Sequence, residues 1–229
     1  MEKEMKPEIK TNRLRLNYSK IIWEPEYENF RTEYEKFLEN NNIDLSQDII
    51  YYGCPLSEKF IRKHINEINL DLATYYFDLS NEFIDELSEK LNWSLVCTSQ
   101  KLSEYIMRKY SYKLHWMVVS SRQVLSESFI EDFKDKVNWN GIAMFQKLSE
   151  DFIRKYSDKL DWKLISENQK LSESFIEEFK DFVDWNMISN KQLSLSFIRK
   201  YSDKLDLFHI INYGNIPYEI IKEIESYIK

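Results

Sequence analysis

A 23-residue period constrains this chain more than any other feature. Leu-Ser occurs at 56, 79, 102, 125, 148 and 171, each step 23 residues, and again at 193 after a step of 22. Trp93, Trp116, Trp139, Trp162 and Trp185 keep the same step of 23, and Leu70 and Leu207 hold that place in the flanking units. A short unit repeated this often cannot bury an apolar face alone, so neighbouring units must stack and share one core.

Each unit reads as two helices. In the unit opening at Leu171, the apolar residues Leu171, Phe175, Phe179 and Val183 are four apart, which is helical spacing. Ser172 just precedes the stripe and is an N-cap residue type, as are Ser57, Ser80, Ser103, Ser126, Ser149 and Ser194 in the other units. The stripe predicts a first helix of about eleven residues, or three turns. Asp184 before Trp185 predicts a second cap and a shorter second helix, as do Asn92, Asn138, Asp161 and Asp206. A small residue then recurs (Thr74, Cys97, Ser120, Ala143, Ser166, Ser189), which implies close approach between successive helices. Gln100, Gln123, Gln146, Gln169 and Gln192 follow and are placed to form a buried amide ladder. The fold expected is an all-α solenoid of about seven two-helix repeats.

The two ends depart from the unit. Residues 1–55 read as an N-terminal arm with Trp23 and Pro25, followed by a degenerate capping repeat in which Phe30, Tyr34 and Phe37-Leu38 resemble a first helix and Leu45 with Ile49-Ile50 a second. Residues 56–229 form the repeat array. Its last element is a half-repeat from Ile216-Pro217, with the stripe Ile216, Ile220, Ile224 and Ile228 available for self-association. No Ser/Gly/Pro-rich linker separates the parts, so one continuous domain is expected.

A second period overlies the first. First helices alternate between basic ones, with Arg108-Lys109, Arg154-Lys155 and Arg199-Lys200, and acidic ones, with Glu131-Asp132 and Glu177-Glu178. A two-unit duplication explains this. It would lay opposite charges side by side as register and solubility devices.

Chemistry is scarce. With only three glycines, Gly53, Gly141 and Gly214, neither a dinucleotide fingerprint nor a phosphate loop can be written. The net charge of −7 argues against a global field for nucleic acid or anionic membrane. Cys54 and Cys97 form no CxxC pair, and His64, His115 and His209 fall at unrelated places in different units, so neither a metal site nor a disulfide framework is expected. The carboxylates and serines recur with the repeat, as caps do, where a catalytic set would be unique to one place. No catalytic residue and no cofactor is expected. MEKEMKPEIK has no apolar signal region and no run is long enough for a membrane span, so a cytoplasmic protein is expected.

The variable positions of the second helices carry the candidate function. Met117, Val118, Arg122, Met144, Phe145, Leu164 and Met187 make a largely apolar edge on an invariant frame, which points to a protein partner. The alternative is a nucleotide or nucleic-acid binder that uses Arg108, Lys109, Arg154, Lys155, Arg199 and Lys200 as a basic stripe from alternate repeats.

The unit LSExFIxxFxDKVDWxxIS…QKLS, over about residues 56–215, resembles the short helical repeats in proteins of mimivirus-like giant viruses. The Ile-, Lys-, Asn- and Tyr-rich usage is similar to that of their AT-rich genomes. The resemblance implies a viral protein acting in an infected host cell, as an adaptor, an inhibitor or a virion component. It supplies no catalytic residues to transfer.

Overall fold

The computed structural model describes residues 25–41, 43–46, 56–213 and 221–222. The readings made on Trp23, Cys54, Ile49-Ile50 and the stripe from Ile216 to Ile228 lie outside the described residues. Among the described residues the chain is all-helical, with no strand, and its helices recur with the repeat. It is an α-solenoid of two-helix repeats. Two compact units divide it, Met1–Leu114 and His115–Lys229.

In the first unit, α1 (Pro25–Asn40) precedes two first helices with their partners, α2 (Glu58–Lys63) with α3 (Leu70–Tyr76) and α4 (Asn81–Glu86) with α5 (Trp93–Ser99), and then α6 (Glu104–Lys109). The second unit opens on a second helix, α7 (Trp116–Arg122). It continues with α8 (Glu127–Asp132), α9 (Trp139–Phe145), α10 (Glu150–Lys155), α11 (Trp162–Asn168), α12 (Glu173–Glu178), α13 (Trp185–Ile188), α14 (Leu195–Lys200) and α15 (Leu207–Tyr213). Second helices pack in series: α3 on α5 in the first unit, and α7 on α9, α9 on α11 and α11 on α13 in the second.

The serine caps form as expected. Each of the seven has φ near −70° and ψ near 150°, and its hydroxyl accepts from the N–H three residues on, as Ser149 Oγ does from Phe152 N at 3.1 Å. Such a cap contributes about 1 kcal/mol. The Asn or Asp caps of the second helices form likewise, with Asp161 Oδ1 accepting from Lys163 N and Leu164 N. His115 stands in this place at the start of α7 and makes no side-chain cap bond.

The expected three-turn first helix is corrected. These helices run six residues and end at the third apolar position, so they are no longer than the seven-residue second helices. Tyr156, for instance, has φ −115° and ψ 27°, outside the α range. A tight turn follows, with Lys159 N donating to Tyr156 O at 2.9 Å and Phe182 N to Phe179 O at 2.9 Å. The stripe survives the break because the chain then closes an α-like bond, Val183 N to Phe179 O at 3.1 Å and Leu205 N to Tyr201 O at 3.0 Å.

The core is the paired Phe-Ile of the first helices, Ile106-Met107 in α6, with the branched residue of the second helices, Ala73 in α3. Phe83, Phe129 and Phe175 are 0–1% exposed, and Val96, Val119, Ile142, Ile165 and Ile188 are fully buried. Full burial of such a side chain contributes about 1.5–3 kcal/mol. The small-residue row is buried between helices, and a Cβ on Gly141 of α9 would lie 3.2 Å from Ser120 Cβ of α7. In the N-terminal region the described residues include α1. Tyr34, Leu38 and Leu45 are buried, and Glu35 accepts the N–H of Ser57 at 2.6 Å, as repeat glutamates do further along.

Candidate protein-binding face

Within each unit, four kinds of contact tie successive repeats, and second helices leave one stripe outward. The glutamine ladder is the deepest. Gln146 Nε2 donates to Ser120 O at 2.9 Å and Gln123 O at 2.8 Å, and its Oε1 accepts from Leu125 N at 3.0 Å. Gln169 repeats this with Ala143 O, Gln146 O and Leu148 N, and Gln100 with Thr74 O, Phe77 O and Leu79 N. Gln192 leaves the ladder and is exposed. The one-residue shortening before Leu193 takes it out of register, and Lys191 Nζ reaches Gln169 O instead at 2.7 Å. Burial pulls the Lys191 amine below the usual lysine range.

The small-residue hydroxyls form the second contact. Ser120, Ser166 and Ser189 each accept, at 2.9 Å, the N–H of the next unit's cap residue, namely Asn138, Asp184 and Asp206. The third is the glutamate of Leu-Ser-Glu. Glu58, Glu127, Glu150 and Glu173 accept the N–H of the following cap serine, as in Glu150 Oε1 with Ser172 N at 2.6 Å. This role was not read from the sequence, although the recurrence of Glu beside the capping Ser carried the signal. Tryptophan supplies the fourth contact. Trp116, Trp139, Trp162 and Trp185 are half-buried and lie against the third apolar residue of the next repeat, with centroids 4.8–5.1 Å apart.

The basic stripe of the alternative reading is one side of a salt-bridge lattice. Lys109 meets Asp85 at 2.7 Å in the first unit. In the second, Arg154 forks onto Glu178 with two bonds of 2.7 Å, Lys155 pairs with Glu131, and Lys200 reaches Glu177 at 2.9 Å. Arg108 lies 3.9 Å from Glu104, and Arg199 sits beside Lys200 in the last turn of α14. These hydrogen bonds hold the Asp85, Glu131 and Glu178 carboxyls below their ordinary values and raise Lys109, Lys155 and Lys200. Four of the six, Lys109, Arg154, Lys155 and Lys200, thus face carboxylates.

The outward stripe of the second helices is different. In the second unit Met117 is 62% exposed, Met144 43% and Phe145 58%. Val118, Leu164 and Met187 are half-buried beside them, and Arg122 is exposed. The seven residues lie on α7, α9, α11 and α13, which pack in that order, so the structure brings them to successive helices of one unit. Of the histidines, His64 lies against the Phe60 ring at 4.5 Å with Glu39 and Glu67 at its two ring nitrogens, and His209 is half-buried on α15. Cys97 is buried in the small-residue row. Among the described residues no group of three His, Cys, Asp or Glu is placed to hold a metal ion, and no helix is long and apolar enough to cross a membrane. No protein-family model, no curated protein and no solved structure matches the chain.

Proposed function

We propose that this chain is a non-enzymatic repeat scaffold that binds another protein through the outward stripe of its second helices in the unit His115–Lys229. It would act in a virus-infected cell as an adaptor or an inhibitor of a host or viral protein. One observation carries the reading. Met117, Met144 and Phe145 are large, apolar and exposed on two helices that pack together, at positions the repeat frame leaves free to vary. Exposed apolar groups on adjoining elements favour a protein contact, because burying them there removes apolar area from water. The salt-bridge lattice weighs against the nucleic-acid reading, since Lys109, Arg154, Lys155 and Lys200 already face carboxylates.

The test is affinity capture of the tagged chain from infected cells, beside a variant carrying Met117→Ser, Met144→Ser and Phe145→Ser. The reading expects one stoichiometric protein that the variant loses while its circular dichroism stays native. A protein retained by the variant would move the contact elsewhere. Nucleic acid co-purifying with no specific protein would overturn the proposal.

A further inference from the structure

Each repeat tryptophan carries a side chain from the next repeat over its outer side, and four of the five times that side chain is a lysine. Lys113 Nζ lies 5.9 Å from the Trp93 centroid, Lys136 5.7 Å from Trp116, Lys159 5.5 Å from Trp139 and Lys204 5.3 Å from Trp185. These are cation–π distances, with the ammonium over the negative face of the ring. The tight turn after each first helix makes the arrangement, because its closing residue is the lysine itself, as in Lys136 N to Phe133 O at 2.8 Å.

Trp162 is the exception. The turn closes there on Phe182, whose N–H donates to Phe179 O at 2.9 Å. The Phe182 ring sits 5.6 Å from Trp162 and meets Phe179 edge to face, at 6.2 Å and 63°. Phe179 stacks on Trp162 at 4.8 Å and 27°. The result is a corner of three rings in place of two rings and a cation, and Phe182 is 62% exposed.

Aspartates outnumber lysines in the turns of this part of the chain. The turn that holds Phe182 and the turns one repeat before and after it carry Asp158, Asp161, Asp181, Asp184, Asp203 and Asp206. Their lysines are Lys159, Lys180 and Lys204. Lys159 and Lys204 are drawn onto the rings of Trp139 and Trp185, and Lys159 also lies 3.9 Å from Asp135. Lys180 stays in the turn beside Asp181, so what Phe182 replaces is the lysine that the other four repeats set over their tryptophan, and aspartates outnumber lysines in the turns on either side.

We propose that the Trp162–Phe179–Phe182 corner is a docking site for an arginine or lysine side chain from a basic segment of a protein partner. The partner's cation faces the exposed Phe182 ring, as Lys113, Lys136, Lys159 and Lys204 face tryptophan rings elsewhere in the chain. Arginine fits best, because its planar guanidinium stacks on an aromatic face while its N–H groups reach carboxylates. The site lies on the turn edge of the second unit and does not depend on the apolar stripe around Met117.

The probe is a tetra-arginine peptide, with tetra-glutamate as its control, titrated into the intact chain by calorimetry and followed by the indole N–H signals in ¹⁵N NMR. Tetra-arginine is expected to bind, tetra-glutamate not to, and the Trp162 signal to shift more than those of the other repeat tryptophans. Phe182→Leu keeps an apolar side chain without a ring and is expected to weaken binding by about threefold or more. Phe182→Lys restores the residue of the other four repeats, so it should fold normally. Its own ammonium fills the site, and binding is expected to fall by roughly tenfold. Phe182→Leu binding as tightly as the unaltered chain, Phe182→Lys doing so, or shifts spread evenly over all the tryptophans would each overturn the proposal.

Discussion

Replacing Gln146 with leucine should weaken the fold out of proportion to the size of the change. Gln146 is 6% exposed and satisfies three backbone groups, the carbonyls of Ser120 and Gln123 in the preceding repeat and the N–H of Leu125 at the start of its own. Leucine has similar bulk and bonds none of them. A buried backbone group left without its partner costs about 1–3 kcal/mol, so three cost roughly 3–6 kcal/mol where some water can still reach. The added apolar burial returns about 1–2 kcal/mol. The net loss is about 2–4 kcal/mol, a large part of the roughly 5–15 kcal/mol that holds a domain folded. Urea unfolding followed by far-ultraviolet circular dichroism reads this as a shift in midpoint. Gln192→Leu is the internal control. It removes the same side chain from a position that is exposed and outside the ladder, and it should change stability by no more than about 0.5 kcal/mol. A loss below about 1 kcal/mol for Gln146→Leu, or an equal loss for Gln192→Leu, would refute the claim that the amide ladder joins the repeats.

Other contacts give independent tests. Ser166→Ala strips the acceptor from Asp184 N at a fully buried position and should cost about 1–2 kcal/mol in the same assay. Glu150→Ala removes the acceptor of Ser172 N and should cost about 1 kcal/mol, while Glu150→Gln keeps an acceptor oxygen and should recover most of it. The acid limb of stability follows from the carboxylates paired with cations. Glu39, Asp85, Glu86, Glu131 and Glu178 all titrate below their ordinary values of 4.5 or 3.8, chiefly through hydrogen bonds to Lys63, Lys109, Arg62, Lys155 and Arg154 respectively. A depressed carboxyl stabilises the fold above its unfolded value and loses that effect as pH falls through its folded value. The melting temperature should therefore be flat down to about pH 4.5 and fall below it. Glu178→Gln should make that fall shallower, and an unchanged acid limb in this variant would count against the assignment.

The period, the caps, the small-residue row and the glutamine ladder were legible because each is a residue type that recurs for a single physical reason. The length of the first helix was not. A stripe at 171, 175, 179 and 183 fits a continuous helix, and it fits equally a six-residue helix whose following turn closes Val183 N onto Phe179 O. Four-residue spacing reports the hydrogen bond and not the dihedral angles between. Gln192 was misplaced for a related reason. It keeps the step of 23 from Gln169, but the one-residue shortening before Leu193 puts Lys191 in the ladder position, where its amine meets Gln169 O, and a side chain is buried by its neighbours' positions, not by its own number. The candidate face was legible as a list of variable positions. Which of them protrude was settled by the helix surface, which turns Met117 and Phe145 outward and leaves Leu164 and Met187 half-covered.

The alternation of charge has a consequence for specificity. In the second unit Glu131 meets Lys155, Arg154 meets Glu178 and Glu177 meets Lys200, and in the first Arg62 meets Glu86 and Asp85 meets Lys109. All these groups lie at the surface, so their attraction adds little to stability in water. Their value lies in what they exclude. Repeats with nearly identical cores can pair one unit out of step with small loss of packing, and a uniform charge pattern would not oppose it. Here such a slip sets the carboxylates of α8 against those of α12, or the cations of α10 against those of α14. Like charges held at contact distance are unfavourable on any surface, and they penalise the wrong neighbour while leaving the right one unchanged. A chain in which Arg154 and Lys155 are exchanged with Glu177 and Glu178 keeps its composition and the pairing between positions 154 and 178, yet it places cations beside Lys200 and carboxylates beside Glu131. It should refold more slowly and with more aggregate in light scattering than the native order. Equal refolding yields would show that core packing alone selects the neighbour.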